Sequence, residues 1–438
     1  MQQPQIIEAD WTWTGRTFEA DVQIVVTPHG RIEYVGMLSE KPTHRLRNRA
    51  LIPGFVNVHS HAFQRGLRGY GETFPAGAGS FWSWREAMYS LVESLDADSL
   101  YRWTLLAFQE MLSAGVTTVG EFHYVRHDAS CRGYGLDEVI VRAARDAGIR
   151  LVLLPTYYRT GGIGEPLRGG QRRFETRSVE EYWEQFDRIA SEMNDERHSL
   201  GVAAHSVRAV PLDDLVALHE EARRRELVFH MHVEEQQKEV DDCVAAYGQR
   251  PMAIVNARLA VDDRFTAIHG THVDPRDMTA FIARGGNVGV CPLTEGNLGD
   301  GFAQTELIRA QGGRVCIGSD SNLRLAWTEE LRWLEYVQRL RRQIRGVVVD
   351  EAGATGRALL EVATENGARS LGIDAGRIAA GYFADFAALD LASPLLVGWT
   401  PESLLDSFLF GCGNEAIADV CVGGRWLRPR PWLTLGHD

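Results

Sequence analysis

The chain has 438 residues, 45% of them hydrophobic and 24% charged, which is the composition of a folded soluble protein rather than a disordered one. Its net charge of −13 disfavours nucleic acid and anionic membranes as partners, because both are bound through basic surfaces. The first residues have neither the basic nor the apolar region of a secretory signal, so we expect none, and no stretch approaches the ~20 apolar residues of a membrane-spanning helix. The six cysteines lack paired spacing, which favours a reducing compartment. We therefore expect a cytoplasmic protein whose partner is a small molecule.

Both ends of the chain predict short β-strands. Segments 22–26 and 31–36 flank a Pro-His-Gly turn, which is typical of a β-hairpin. The tail beyond residue 380 contains two similar short segments rich in apolar residues. We predict that residues 1–50 and 380–438 together form one small composite β-sandwich domain.

Between these ends, eight apolar segments alternate with amphipathic helical segments. Such alternation indicates parallel strands with crossover helices, and eight units in a row favour a (β/α)8 barrel of the α/β class over a doubly wound sheet. We predict that residues 51–379 form this TIM-like catalytic barrel. The predicted strands are 51–61, 117–124, 150–157, 200–206, 227–233, 265–270, 286–292 and 314–321. The predicted helices are 100–114, 138–147, 179–192, 212–225, 275–284 and 329–345.

The first predicted strand ends in His59-Ser60-His61. Residues two apart in a strand point the same way, so both imidazoles project from one face. Neutral imidazole is the commonest metal ligand, but a single pair of histidines fits two hydrogen-bonded structural side chains equally well. The residues at the ends of the other strands decide between these two interpretations.

Polar side chains with metal-binding or acid-base chemistry stand at most of the other strand ends. In a barrel these ends surround one mouth, where the active sites of such folds lie. Three imidazoles and one carboxylate, from His59, His61, His232 and Asp320, make a ligand set that leaves one position open for water. We predict one divalent ion, with Zn²⁺ as the first choice, although iron and manganese accept the same ligands. The remaining polar residues at or just beyond strand ends are Tyr124, His205, Arg208, Glu235 and His269.

Four motifs at these positions resemble the amidohydrolase superfamily in its mononuclear deaminase branch. They are His59-Ser60-His61, His232 followed by Glu235, His269, and Gly318-Ser319-Asp320-Ser321. Six longer segments resemble the formimidoylglutamate deiminases within that superfamily: 59–65, 81–86, 121–125, 205–210, 235–243 and 330–336. The resemblance covers nearly the whole chain and implies the same barrel with a composite β domain.

Members of that family hydrolyse a formimidoyl group to a formyl group and release ammonia in histidine degradation. The resemblance implies that Asp320 takes a proton from the reactive water and that Glu235 carries a proton to the departing nitrogen. It also implies that His269 hydrogen-bonds the water or the intermediate. Glu234 stands directly before Glu235, and the spacing from His232 favours Glu235 as the carboxylate that faces the site.

The scarcity of lysine bears on the number of metal ions. Barrels with two ions often bridge them through a carbamylated lysine at the end of the fourth strand, where this chain has His205. The only lysines are Lys41, before the barrel, and Lys238, beyond the fifth strand. Neither stands where it could bridge two ions, so we predict a single one.

The substrate implied by the resemblance is a dicarboxylate, and planar guanidinium groups bind carboxylates through two parallel hydrogen bonds. Arg208 and Arg85 are the expected carboxylate-binding residues. An alternative for Arg85 is a structural cation–π contact with Trp82 or Trp84. The residues expected to add hydrogen bonds to the substrate are Gln64, Tyr124 and His205.

Two other functions stay open at this point. A deaminase of a purine, pyrimidine or triazine ring would share the metal ligands, Glu235 and His269, but a neutral heterocycle needs no pair of arginines. A catalytically inactive barrel used as a scaffold should have lost ligands, whereas this chain keeps all of them. A homodimer is the expected assembly, since two-fold dimers are the commonest soluble oligomers.

Overall fold

The computed structural model of the chain describes residues 4–74, 77, 79–193 and 195–427. Its strands form two sheets, one wound into a barrel and one built from both ends of the chain. The strands are β1 (Gln5–Trp13), β2 (Phe18–Glu19), β3 (Gln23–Val26), β4 (Ile32–Gly36), β5 (His44–Pro53), β6 (Phe55–Ser60), β7 (Val116–His123), β8 (Arg150–Tyr157), β9 (His198–Leu200), β10 (Val202–Ala204), β11 (Phe229–Val233), β12 (Phe265–His269), β13 (Asn287–Val290), β14 (Arg314–Ile317), β15 (Phe386–Asp390), β16 (Ile417–Val422) and β17 (Arg425–Leu427). The α-helices are α1 (Phe81–Ser94), α2 (Ala97–Ser113), α3 (Leu136–Ala147), α4 (Val179–Glu192), α5 (Leu212–Arg224), α6 (Gln237–Tyr247), α7 (Pro251–Arg258), α8 (Pro275–Ala283), α9 (Pro292–Leu298), α10 (Thr305–Ala310), α11 (Trp327–Arg342), α12 (Thr355–Ala363), α13 (Glu365–Ser370) and α14 (Leu404–Gly411).

Eight parallel strands form the barrel, in the order β6-β7-β8-β10-β11-β12-β13-β14, with the short β9 beside β8. Helices connect successive strands, and the buried apolar residues of both kinds of element make up the main hydrophobic core. The last and first strands meet at a single bridge between Ser60 and Asp320, so the barrel is nearly closed. The predicted α/β class and (β/α)8 architecture are confirmed.

The second sheet takes strands from both ends of the chain, in the order β17-β16-β15-β5-β1-β3-β4, with β2 beside β1. The predicted hairpin is present, because β3 and β4 pair antiparallel across the Pro-His-Gly turn. β15 joins the C-terminal strands to β5, pairing Phe386 with Pro53. Ile7, Ile24 and Phe386 belong to a second, smaller core that this sheet forms.

The prediction of one continuous strand over residues 51–61 is wrong. Pro53 ends β5 in the terminal sheet, and β6 begins at Phe55 in the barrel. The break falls at Gly54, where a Cβ atom would lie 2.2 Å from the Oγ1 atom of Thr117 on β7. Only glycine allows this close approach, so the chain passes from one sheet to the other at this residue.

Six helices lie where the sequence predicts them, with ends displaced by three residues or fewer. α1 is absent from the sequence prediction, because Phe81, Trp82 and Trp84 have modest helix propensity and the helix has no strong periodicity. In the described part of the chain, we find no helix whose length and apolar character would suffice to cross a membrane.

Candidate active site

Three imidazoles converge at the C-terminal ends of β6 and β11. The Nε2 atoms of His59 and His232 lie 3.1 Å apart, and the ring centroids of His59 and His61 lie 4.6 Å apart. Asp320, just beyond β14, places its Oδ1 atom 3.6 Å from Nε2 of His59 and 3.3 Å from Nε2 of His61. All four side chains are buried. The fold therefore brings together the four residues that the sequence predicts as metal ligands.

Hydrogen bonds behind the rings fix which nitrogen faces the site. The Nδ1–H of His61 donates to the carbonyl of Phe122 at 2.8 Å, and that of His232 donates to the carbonyl of His205 at 2.9 Å. Because a carbonyl only accepts, each Nδ1 holds the proton and each Nε2 keeps its lone pair. Burial lowers the pKa of all three imidazoles, to about 3 for His59, so they are neutral. Neutral imidazoles whose lone pairs share one space fit a divalent cation.

Asp320 is ionised despite its burial. Burial acts to raise the pKa of this carboxyl, but hydrogen bonding with His59 and the positive charge of His269 hold the pKa below its usual range. The backbone at Asp320 is left-handed, with φ 50°, and His269 has φ 73°. Such conformations cost about 1 to 3 kcal/mol in non-glycine residues and concentrate at functional sites. The anionic carboxylate and the strained backbone are both consistent with a ligand.

His269 ends β12 and lies among three carboxylates. Its Nδ1–H donates to Oε1 of Glu295 at 3.3 Å, and its Nε2 lies 3.8 Å from Oε1 of Glu235 and 3.9 Å from Oδ2 of Asp320. Burial opposes protonation of His269, but these negative charges raise its pKa to about 10. His269 is therefore a cation that can donate a hydrogen bond to reacting atoms beside Asp320.

The two adjacent glutamates have different surroundings. Glu234 accepts a hydrogen bond from the N–H of Met252 at 3.0 Å and pairs with Arg250 at 2.7 Å, so its carboxylate is engaged outside the cavity. Glu235 lines the cavity next to the imidazoles, and burial raises the pKa of its carboxyl. Glu235 is thus the carboxylate that faces the site, as its spacing from His232 predicts.

A small cavity lies beside the imidazoles. Its walls include all five residues that the sequence predicts for substrate binding: Gln64, Arg85, Tyr124, His205 and Arg208. The Nε2 of Gln64 donates to the hydroxyl of Tyr124 at 2.7 Å, and the buried Oε1 of Gln64 has no hydrogen-bond partner in the described structure. The cavity has a volume of about 50 Å³, which is room for a few water molecules.

Arg208 is buried between two carboxylates. Its Nη2 atom lies 3.3 Å from Oε2 of Glu235, and its Nε atom lies 3.8 Å from Oε2 of Glu239. The positive charge of Arg208 acts to lower the pKa of both carboxyls, against the larger effect of burial. The residue expected to bind a substrate carboxylate is therefore in direct contact with the residue expected to transfer the proton.

Arg85 lies on α1 and lines the same cavity. Its guanidinium stacks over the rings of Trp82 and Tyr89, each 5.2 Å from the ring centroid, and its Nε donates to the hydroxyl of Tyr89. The second aromatic ring in this contact belongs to Tyr89 and not to Trp84, which the sequence suggested. Since stacking leaves the edge N–H groups of a guanidinium available, the cation–π contact and carboxylate binding are compatible.

Tyr158, Glu295 and the wall that α1 supplies were not predicted from the sequence. Tyr158 directly follows β8, so the strand-end rule that selected Tyr124 also applies to it. Glu295 lies inside the short helix α9, and its importance comes only from the contact with His269 that the fold creates. The wall residues of α1 are Phe81, Trp84, Arg85, Met88 and Tyr89.

A parallel barrel with a histidine-rich centre at its strand ends defines a class of barrel hydrolases, and residues 50–427 match the amidohydrolase family. The chain belongs to this family. It is 43% identical to the formimidoylglutamate deiminase of Pseudomonas aeruginosa over 86% of this chain and 84% of that protein. It is 30% identical to a 5-methylthioadenosine/S-adenosylhomocysteine deaminase of Haloarcula marismortui, over 87% and 82% of the two chains. The crystal structure of an amidohydrolase from Brucella melitensis, 34% identical, superimposes with a TM-score of 0.87 over 96% and 94% of the two chains.

Proposed function

We propose that the protein is a metal-dependent deiminase that hydrolyses N-formimidoyl-L-glutamate to N-formyl-L-glutamate and ammonia in histidine degradation. The observation that carries this proposal is the cavity in which two arginines stand beside the buried imidazole cluster. A substrate with two carboxylates and one group to be hydrolysed requires both the pair of arginines and the imidazole cluster. The 43% identity to a formimidoylglutamate deiminase along most of the chain supports the same substrate.

One divalent ion would be held by His59, His61, His232 and Asp320, with zinc as the first candidate, since zinc prefers nitrogen and carboxylate donors in this number. When bound, the ion supplies a water molecule whose pKa lies near neutrality, so that hydroxide is available for attack. Lys238 is exposed and pairs with Asp242, which is consistent with a single ion and no lysine bridge.

The side chains of this protein would then accept and donate the protons of the reaction. Asp320 accepts the proton that the attacking water loses. The water oxygen bonds to the formimidoyl carbon, and the double bond from that carbon to the terminal =NH nitrogen becomes a single bond. Glu235 delivers to this nitrogen the two protons that the water oxygen gives up in turn. The nitrogen then leaves as NH3 as the remaining carbon–nitrogen bond breaks and the carbon–oxygen double bond of the formyl group forms. His269 donates a hydrogen bond that stabilises the negative charge developing on the oxygen.

The arginines would orient the substrate. A carboxylate bound by Arg208 would compete with Glu235 for the same guanidinium and so free Glu235 for proton transfer. Arg85 would bind the second carboxylate at the α1 side of the cavity. Gln64, Tyr124 and His205 line the same walls and would add hydrogen bonds that fix the orientation of the substrate.

The test is the rate of ammonia release by purified protein of measured metal content. The substrates are formimidoylglutamate, 5-methylthioadenosine, guanine and cytosine. We expect kcat/KM for formimidoylglutamate to exceed the others by at least about 100-fold, because a neutral ring offers no carboxylate to the two arginines of the site. A ring as the best substrate would favour a ring deaminase, and no turnover by metal-loaded protein would favour the inactive scaffold.

A further inference from the structure

Arg208, Glu235 and Glu239 form a buried group at the wall of the cavity. Besides the contacts of Arg208 with both carboxylates, the backbone N–H of Glu235 donates to Oε2 of Glu239 at 3.2 Å. Glu239 is fully buried, and Arg208 and Glu235 retain little exposure. Glu239 therefore contacts both the residue expected to bind a substrate carboxylate and the residue expected to move a proton.

The position of Glu239 follows from the start of α6. Gln236 is the N-cap residue, and Glu239 is the third residue of the helix. A glutamate at this position commonly accepts a hydrogen bond from the N–H of the N-cap residue. Here the side chain reaches one residue further back, to the N–H of Glu235. The first turn of α6 thus fixes the backbone from which the Glu235 side chain extends.

Two polar atoms of this group have no hydrogen-bond partner among the described residues, the Nε of Arg208 and the Oε1 of Glu239. The Nε atom faces the Glu239 carboxylate at 3.8 Å, so their attraction operates without the geometry of a hydrogen bond. Burial raises the pKa of Glu239 to about 7, against the lowering effect of the Arg208 charge. A buried carboxylate in this position would be unfavourable without the guanidinium, and the two side chains depend on each other.

We propose that Glu239 is a positioning residue that holds the Arg208 guanidinium and the Glu235 backbone at a fixed separation, an inference that rests on the proposed function. Without the Glu239 carboxylate, Glu235 is the only carboxylate left beside Arg208, and the Arg208–Glu235 ion pair tightens. The tighter pair withdraws Arg208 from the substrate carboxylate and Glu235 from the departing nitrogen. Loss of Glu239 therefore raises KM and lowers kcat together.

The test uses Glu239→Gln, which keeps the shape of the side chain and removes its charge. We expect kcat/KM for formimidoylglutamate to fall about 10- to 100-fold, which is the usual effect of a small misplacement of reacting groups. In the Arg208→Met background the same substitution should cause little further loss, because its effect passes through Arg208. Calorimetry with N-formyl-L-glutamate should show the same dependence for product binding.

The matched control is Glu335→Gln. Glu335 is also fully buried, accepts backbone N–H bonds from Val347 and Val348, and pairs with Arg339, but it does not line the cavity. It should lower the melting temperature and leave kcat/KM within about twofold. Equal kinetic losses in both variants, or independent losses from Glu239→Gln and Arg208→Met, would overturn the positioning role. Glu239→Asp, which keeps the charge, tests the same role if the Gln variant does not fold, and should retain more activity than Glu239→Ala. A wild-type protein without turnover would instead contradict the proposed function itself.

Discussion

At the scale of single residues, Glu235 is the group whose removal isolates proton transfer from metal binding. Glu235→Gln keeps the size of the side chain and removes its exchangeable acid. We predict a loss in kcat of about 10²- to 10⁴-fold, the usual contribution of a positioned acid or base. Metal content, measured by elemental analysis, should match that of the wild type, because Glu235 is not among the four predicted ligands. Near-normal kcat in this variant would remove Glu235 from the mechanism.

Arg208→Met tests the binding of the substrate carboxylate. Methionine retains an unbranched apolar side chain and loses the guanidinium that pairs with carboxylates. We predict that kcat/KM for formimidoylglutamate falls by about 10²-fold or more, while the metal content is unchanged. Steady-state kinetics, with circular dichroism to verify folding, provide the measurement. An unchanged kcat/KM would show that the substrate carboxylates are bound elsewhere.

The sequence predicted individual site residues where a local rule applies. His59 and His61 follow the period of a strand, and Asp320 follows the rule that polar residues at barrel strand ends share one mouth. Glu239 and Glu295 obey no such rule. Their roles come from contacts with Arg208 and His269 that exist only after helices α6 and α9 have packed against the barrel.

At the scale of elements, a buried ion pair joins the end of β7 to the start of α3. Asp137 accepts hydrogen bonds from Arg126 at 2.8 and 3.2 Å, and Nε2 of His123 lies 3.4 Å away. Burial acts to raise the pKa of Asp137, but the Arg126 charge and these hydrogen bonds lower it to about 2. Because the folded-state pKa lies below the unfolded value near 3.9, this pair stabilises the fold above about pH 4.

Asp137→Asn should therefore destabilise the protein at pH 7 by about 3 to 5 kcal/mol, since it leaves the Arg126 guanidinium buried without an anionic partner. The difference from wild type should shrink as the pH falls from about 4 to 2 and wild-type Asp137 becomes protonated. Chemical denaturation at several pH values provides the measurement. The control is Asp242→Asn at the exposed Lys238 pair, which should change stability by less than about 1 kcal/mol. Equal effects of the two substitutions would contradict the assignment.

His219 gives α5 a pH-dependent contribution to stability. It packs against Phe229 and Phe265 on the neighbouring strands, and burial lowers its pKa to about 4. The unfolded chain binds a proton here below about pH 6.5 and the folded chain does not, so folding is disfavoured progressively as the pH falls from 6.5 to 4. His219→Phe should remove this pH dependence. The free energy of unfolding of the variant, relative to that of the wild type, should therefore be roughly 3 kcal/mol higher at pH 4 than at pH 7.5. Denaturant unfolding of both proteins would measure it, and a pH-independent difference would be evidence against a neutral buried His219.

Helical periodicity and strand composition predicted the barrel strands and six helices, but they did not predict α1, several shorter helices such as α6 and α9, or the change of sheet at Gly54. α1 has aromatic residues on most of its faces, so its helical character depends on packing over the cavity. At Gly54, where the chain changes sheet, the side chain of Thr117 from another strand leaves no room for a Cβ atom. Both features are set by tertiary contacts, which a local pattern does not encode.

At the scale of the whole molecule, the candidate metal centre depends on closure of the barrel. His59 lies in β6 and His61 directly follows it, whereas Asp320 lies three residues beyond β14, and the two segments meet at the bridge from Ser60 to Asp320. The junction of these two segments is the seam of the barrel. A network of buried hydrogen bonds, each 3.1 Å or shorter, reinforces this seam. Its contacts are Asn57 Nδ2 to Ser319 Oγ at 2.7 Å, Ser319 Oγ to Asn322 Oδ1 at 2.6 Å, and Asn322 Nδ2 to Ser60 Oγ at 3.1 Å. Residues more than 250 positions apart are joined in this way, which explains why the sequence predicted the ligands but not the seam that holds them together.

We propose that one ion, held where four ligands distant in the sequence meet, makes this chain a deiminase. The most direct measurement is ammonia release from formimidoylglutamate by metal-stripped protein as Zn²⁺ is added back. We predict negligible turnover without metal and activity that rises in proportion to added ion until one equivalent per chain, with Asp320→Asn failing to recover. Full activity in the stripped protein, or a requirement for a second equivalent, would contradict a single essential ion.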